Sequence, residues 1–231
     1  MKDGSELRLT KTETVLGWLY LPLHAVILPL LLDLYAAVNP DASPVMLNLG
    51  WYAAGAVYVV CALYGLLRRG FDALLDAPWR CVRAMASSLL AIYGLSLLLS
   101  MLLLALRPEL SNPNNTAAIQ MAGLDYGATR AMLFFLAPLV EEALFRGVAF
   151  GSLRARSRAL AYLVSGALFC LYHVWQYVVL TGNAAALLYA LQYVPHAFAL
   201  AWCYERTGSI WTPVFLHMLL NAFAFSVLSN L

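Results

Sequence analysis

Three apolar stretches of the sequence each carry polar residues of the kind that move protons. The residues are Glu141, Glu142 and Arg146 in the first stretch, His173 in the second, and His217 and Asn221 in the third. A carboxylate or an imidazole can take a proton from water, and an imidazole or a carboxamide can donate a hydrogen bond to a developing negative charge. These residue types therefore point to acid–base chemistry at a site shared by several helices.

Spacing divides the charged residues of the first stretch into a pair and a single carboxylate. Residues four apart lie on one helix face, so Glu142 and Arg146 are predicted to form a buried structural ion pair. Glu141 then projects in another direction and has no local partner. Because a charge at the centre of a membrane-spanning helix costs roughly 2.5 to 3.5 kcal/mol, Glu141 calls for a functional explanation, as a general base or acid.

The histidines are weaker signals when each is taken alone. An isolated intramembrane His more often packs between helices than catalyses, and this is the prediction for His24 and His196. His217 differs, because Asn221 shares its helix face. Three separate stretches that each offer polar groups favour a common site in the interior of a bundle.

Proline precedes two of the polar groups at short range. Pro138 lies three residues before Glu141, and Pro213 lies four residues before His217. Each proline is predicted to kink its helix, since proline removes a helical hydrogen bond. Such kinks would open a cavity that admits water.

The elements that must hold these residues are predicted from composition. Of 231 residues, 63% are hydrophobic, and only 14 Lys or Arg and 12 Asp or Glu carry charge. A soluble domain is about one quarter charged, so this chain could not cover its apolar surface in water. Low charge also excludes a disordered chain, and the absence of a basic cluster excludes a nucleic-acid partner. The sequence predicts an integral, multi-pass membrane protein whose partner is the lipid bilayer.

Seven apolar stretches of about 20 residues predict an all-α bundle of about seven spans. They are 14–34, 48–67, 84–106, 130–153, 159–181, 185–204 and 210–229. With the N-terminus inside and the C-terminus outside, eleven of the fourteen cations fall on the inner side, whereas Arg107 and Arg130 fall outside and Arg146 lies within a span. That asymmetry follows the positive-inside rule.

The connecting segments leave two alternatives open. Residues 68–83 mix cations with apolar residues, and either an amphipathic interfacial helix or a plain polar connection fits them. The outer connection 107–127 contains Asn114 in an N-x-T glycosylation pattern, which is interpreted as a chance match because the pattern is short. The four cysteines are scattered and predict neither disulfides nor a thiolate zinc site.

The polar residues resemble, in order and placement, the three motifs of a known family. The matching patterns are Glu141-Glu142-x-x-x-Arg146, Phe169-x-x-x-His173 and His217-x-x-x-Asn221. They are similar to those of the CPBP (CAAX protease and bacteriocin-processing, or Abi) family of intramembrane proteases, which includes the Ras-converting CAAX endopeptidases. The resemblance covers residues 128–229, which divides the chain into N-terminal helices (1–127) and a catalytic core (128–231). The N-terminal part carries no family motif.

The resemblance implies a helical membrane enzyme that hydrolyses a peptide bond. By position, Glu141 would be the base, His173 its partner, and His217 with Asn221 the oxyanion donors. Glu142, Arg146 and Phe169 would support the site.

Family members are commonly called metalloproteases, and two arrangements fit the residues. Glu141, His173 and His217 could hold a catalytic Zn²⁺, or Glu and His could activate water without a metal. The metal-free arrangement is favoured, because Asn is a poor zinc ligand and a good oxyanion donor.

The implied substrate is a membrane-associated or lipidated peptide or protein, of the CAAX or bacteriocin type. In a bacterium the enzyme would lie in the plasma membrane; its oligomeric state stays open. One alternative is a non-catalytic immunity or scaffold protein that binds a peptide in the same cavity. Another is a proton-coupled transporter, which the absence of an internal repeat disfavours.

Overall fold

The protein is a bundle of helices in the parts of the chain that its computed structural model describes, residues 9–106 and 112–228. Within those residues there is no β-strand, which confirms the predicted all-α class. The cations Lys2, Arg8 and Arg107 of the topology prediction lie outside the described residues. The helices are α1 (Lys11–Val38), α2 (Pro44–Ala62), α3 (Tyr64–Asp76), α4 (Pro78–Leu106), α5 (Pro113–Leu124), α6 (126–154), α7 (Arg158–Tyr172), α8 (Trp175–Thr181), α9 (Ala184–Thr207) and α10 (Trp211–Leu228).

Four of these helices are long and apolar enough to cross a membrane, namely α1, α2, α4 and α9. A fifth is obtained if α7 and α8, which meet at a bend of 44°, form one broken span. The other two predicted stretches differ from a simple span: α6 carries charges along its length, and α10 is a shorter apolar helix. The count of seven spans and the N-in, C-out orientation therefore stay predictions.

Helix α6 lies at the centre of the bundle. Every residue from 140 to 151 is buried, and α6 contacts α1, α2, α7 and α10. A helix that is buried on all sides keeps its charged side chains away from lipid tails, so they must be paired with each other or with backbone groups. The outer surface is apolar instead, with exposed leucines along α4 such as Leu90, Leu97 and Leu104.

The two prolines act differently from one another. Pro138 lies inside the continuous helix α6 and follows a π-helical segment, Met132–Leu136. Pro213 lies in the first turn of α10, which begins at Trp211. A first-turn proline lacks a hydrogen bond that the helix would not make anyway. The predicted kink at Pro213 is therefore wrong, and Pro213 starts the helix instead.

Residues 68–83 form the end of α3 and the start of α4, so the plain polar connection is the wrong alternative. Helix α3 is amphipathic, because it buries Leu66, Leu67 and Gly70 while Arg68 and Phe71 are exposed. Its backbone carbonyl groups accept hydrogen bonds from side chains just before and at the start of α10. The Ser209 hydroxyl donates to the Gly70 carbonyl at 2.6 Å, and the Trp211 indole donates to the Leu67 carbonyl at 2.8 Å.

Close packing of α1 on α6 depends on a glycine, which leads to a first prediction. A Cβ atom at Gly17 would lie 2.8 Å from Cγ1 of the buried Val148 and closer still to its Cγ2. Since Val is stiff at χ1, Gly17→Ala is expected to destabilise the protein by about 1 to 3 kcal/mol, measured by thermal unfolding in detergent.

Gly50→Ala is the matched control, because no atom lies within 4 Å of a Cβ at Gly50. There the same change is expected to be neutral or to stabilise by up to about 1 kcal/mol, from helix propensity alone. Equal effects of the two substitutions would contradict the close contact of α1 with α6.

Candidate active site

A single cavity of about 1430 Å³ brings together the residues that the sequence singled out. Its walls include Glu141 from α6, His173 from the break between α7 and α8, and His217 with Asn221 from α10. Phe169 also lines it. Four side chains separated by up to 80 positions in the sequence thus face one space.

His173 is oriented by the end of its own helix. Helix α7 ends at Tyr172, and the carbonyl of Phe169 belongs to its last turn. Carbonyl groups in the last turn of a helix have no backbone N–H partner within the helix. His173 Nδ1 lies 2.8 Å from that carbonyl oxygen. Because a carbonyl can only accept, Nδ1 carries the proton, and the lone pair of the neutral ring is at Nε2. The ring is further held by stacking on Tyr193, with centroids 4.2 Å apart.

Glu141 offers one oxygen to the protein and one to the cavity. Its Oε1 accepts a hydrogen bond of 2.9 Å from the Tyr52 hydroxyl. Its Oε2 is buried and makes no hydrogen bond within the described residues. The Nε2 atoms of His173 and His217 lie 3.7 and 3.9 Å from this Oε2. Both gaps are too long for a direct hydrogen bond.

Glu142 accepts hydrogen bonds from two side chains rather than from Arg146 alone. Its Oε1 accepts a hydrogen bond of 3.0 Å from Arg146 and one of 2.8 Å from His217 Nδ1. The predicted i, i+4 ion pair is therefore present, with both side chains fully buried, and the contact to His217 joins it to the cavity. The Arg146 guanidinium lies 3.9 Å from the centroid of the Phe169 ring, a cation–π contact that explains why an aromatic residue suits this position.

Asn221 is held by a backbone irregularity in α6. Ala137 N–H bonds to Met132 O, five residues back, and the next donor in that register would be Pro138, which has no N–H. The carbonyl of Leu133 is thereby left free, and the Asn221 amide donates to it at 2.8 Å. A carboxamide nitrogen has two protons, so the second one and the Oδ1 of Asn221 are available to the cavity.

Sequence reasoning missed several tyrosines at this site. Tyr52 and Tyr172 are hydrogen-bonded to each other at 2.8 Å, and Tyr52 reaches Glu141. The side-chain amide of Asn114 donates a hydrogen bond of 2.7 Å to the Tyr193 hydroxyl, and it also donates to the backbone carbonyl of His173. With 13 tyrosines in the chain, residue type gave no signal that these were special. The engagement of Asn114 favours the chance interpretation of its glycosylation pattern.

The remaining histidines occupy two different settings. His24 is buried and stacks on Trp51 at 4.7 Å, as predicted for a packing residue. His196 lines the cavity, and its backbone carbonyl lies 3.4 Å from Arg146. The structure thus agrees with a packing role for His24, whereas His196 is part of the cavity wall.

The donor set was tested for a metal site. Among the described residues, no three His, Cys, Asp or Glu side chains are grouped so that they could hold a metal ion. As arranged, Glu141, His173 and His217 do not fit a zinc ion.

Comparison with known proteins matches the segment of the chain that carries Glu141, His173, His217 and Asn221. Residues 123–223 match the family model described as type II CAAX prenyl endopeptidase Rce1-like. The Bacillus subtilis (strain 168) protein named "Putative membrane peptidase YdiL" is 33% identical over 87 residues, which cover 37% of this chain and 31% of that protein. The Lactococcus lactis protein named UPF0177 protein YxdF is 31% identical over 100 residues, covering 43% of this chain and 50% of that protein. No solved structure matches.

The matched region agrees with the resemblance inferred from the three motifs. The alignments with these two relatives span 31% and 50% of the relatives' lengths, and the family model leaves helices α1 to α4 of this chain unmatched. Together with the apolar helices, the match identifies the chain as an integral, multi-pass membrane protein.

Proposed function

Because residues 123–223 match the Rce1-like family model, we propose that this protein is an intramembrane endopeptidase that cleaves a membrane-associated or lipidated peptide. The observation that carries the proposal is the unpaired Oε2 of Glu141, which faces the cavity between the Nε2 atoms of His173 and His217. Glu142 Oε2 is also buried without a hydrogen bond, but Glu141 differs because its unpaired oxygen lies within 4 Å of two imidazole nitrogens whose side chains line the cavity.

Glu141 and His173 are suited to activate one water molecule. A water that bridges Glu141 Oε2 and His173 Nε2 donates one hydrogen bond to each atom, since both atoms are acceptors. Its oxygen lone pair is then free to attack the carbon of a peptide carbonyl. Glu141 takes the proton as the bond forms and later returns it to the leaving amine.

His217 and Asn221 are suited to bind the oxyanion. The Nδ1 proton of His217 is committed to Glu142, so donation into the cavity requires a second proton, on Nε2. Glu142 provides the negative charge that a doubly protonated ring needs beside it. Asn221 contributes its second amide proton, and each such donor stabilises the transition state by about 3 to 4 kcal/mol.

The substrate is expected to reach the site through the cavity, which holds polar groups among largely apolar walls. Cavity residues such as Leu89, Ile92 and Phe223 suit a lipid-modified or hydrophobic peptide, and Asn115 and Gln120 on α5 can bond to a peptide backbone. The family match supports a CAAX-type substrate, and the bacteriocin type is the other candidate from the motifs.

The proposal is tested by comparing peptide termini in membranes of cells that carry the wild type or Glu141→Ala. New C-termini or N-termini that require Glu141 are expected among membrane-associated proteins. Identical sets of termini in both cells would overturn the proposal and favour the non-catalytic binding protein.

We also propose that the reaction needs no metal, because no three His, Cys, Asp or Glu side chains of the described residues are grouped to hold an ion and Asn221 is a poor zinc ligand. EDTA treatment of purified protein is expected to leave the cleavage rate unchanged within about two-fold, and metal analysis is expected to find less than one zinc per chain. Loss of cleavage on chelation that is restored by Zn²⁺ would contradict this prediction.

A further inference from the structure

We infer that Tyr52, in the N-terminal helices, is a positioning residue for Glu141. The inference rests on the proposed function and adds to it a residue outside the matched segment 123–223. Helix α2 places Tyr52 against α6, 89 residues away from Glu141 in the sequence. The active site would then be assembled by both parts of the chain.

The hydroxyl of Tyr52 decides which oxygen of Glu141 faces the cavity. A phenol has one proton, and Tyr52 gives it to Glu141 Oε1 at 2.9 Å. Tyr172, whose hydroxyl lies 2.8 Å away, must then donate its own proton to Tyr52. This relay satisfies Oε1 and fixes the plane of the carboxylate, which leaves Oε2 as the acceptor for water.

The ring of Tyr52 is held tightly enough to act in this way. It packs on Trp51 and on His24, with ring centroids 4.6 and 5.5 Å apart. One turn along α2, a Cβ at Gly55 would lie 3.2 Å from Val140 and 3.1 Å from His24. The missing side chain at Gly55 lets α2 approach α6 closely, which brings the hydroxyl within reach of the carboxylate.

Loss of the hydroxyl has a specific consequence for catalysis. In Tyr52→Phe the ring packs as before, but Oε1 of Glu141 loses its donor. The carboxylate can then rotate and accept a hydrogen bond directly from Nε2 of His217, which removes the water-binding geometry. Since a hydrogen bond to a charged group is lost, kcat is expected to fall about 10- to 100-fold. KM should change less than about two-fold, because the hydroxyl is engaged by Glu141 and Tyr172 and the ring that lines the cavity is kept.

The test compares Tyr52→Phe with Tyr58→Phe in the full chain. Tyr58 lies on the same helix, and its hydroxyl donates to the backbone carbonyl of Leu16, away from Glu141. Cleavage of a quenched, farnesylated CAAX peptide in proteoliposomes gives kcat and KM. Tyr58→Phe is expected to stay within about two-fold of the wild type in both. Equal kcat for the two variants, or an effect on KM alone, would overturn the inference.

An infrared measurement separates this inference from the proposed function. The carboxyl band of Glu141 is identified as the band lost in Glu141→Gln. It is expected to shift in Tyr52→Phe and to stay in place in Tyr58→Phe, whether or not any peptide is cleaved. An unshifted band in Tyr52→Phe overturns the role of Tyr52, whereas a shifted band without cleavage by the wild type overturns only the protease proposal.

Discussion

Replacing Glu141 with Gln is expected to reduce the cleavage rate by about 100- to 10,000-fold, the usual contribution of a general base. A carboxamide has the same shape but cannot take a proton from water. The exchange should leave stability almost unchanged, because Oε2 makes no hydrogen bond that could be lost and Oε1 can still accept from Tyr52. Peptide cleavage and thermal unfolding of the purified variant measure the two effects.

Glu205→Gln is the matched control for this substitution. Glu205 lies outside the cavity and accepts hydrogen bonds from Arg154, Arg158 and Tyr162. Its replacement should lower the unfolding temperature while the cleavage rate per folded molecule stays within about two-fold. If Glu141→Gln lowers stability and leaves cleavage intact, the assignment of Glu141 as the base is wrong.

The largest effect on stability is expected for Arg146→Met. The change leaves Glu142 fully buried with His217 as its remaining partner. Breaking a buried ion pair from one side costs about 3 to 5 kcal/mol, because the other charge stays in a poorly solvating interior. The cation–π contact with Phe169 is lost as well. Unfolding in detergent, followed by heat or denaturant, measures the loss.

Two further variants identify the cause of that loss. Arg158→Met removes an arginine whose ion pair with Glu205 is largely exposed on the Arg158 side, and it should cost only about 0 to 1 kcal/mol. The double change of Glu142→Gln and Arg146→Met should recover part of the stability, because the charge at position 142 that had lost its arginine is removed as well. A double variant less stable than Arg146→Met alone would contradict the ion-pair explanation.

Local periodicity accounts for the part of the site that could be predicted from sequence. Helical spacing alone indicated the pairing of Glu142 with Arg146 and the shared face of His217 and Asn221, and the structure has both. It could not indicate that His217 also bonds to Glu142, 75 residues away. Such a contact depends on how two helices rotate and pack, and no repeat within either helix encodes it.

Sequence patterns did not indicate where helices begin and bend. A proline was predicted to kink α10, but its effect depends on where the helix begins, and α10 begins only two residues before Pro213. The stretch 159–181 was predicted as one apolar span, and hydropathy did not indicate the bend of 44° that follows Tyr172. That break gives His173 its hydrogen bond to Phe169. A hydropathy pattern indicates the length and polarity of an apolar stretch, but it does not indicate where a helix begins or ends within it.

The sequence by itself determined that this protein is a helical, multi-pass membrane protein, and that Glu141 carries a charge without a local partner. Composition and spacing suffice for that, because they depend only on transfer to a membrane and on helix geometry. Only the tertiary structure decided that Glu141 lies between two histidines and that Tyr52 and Leu133 hold the site in place. These contacts join separate helices, so they exist only once α2, α7 and α10 pack around α6.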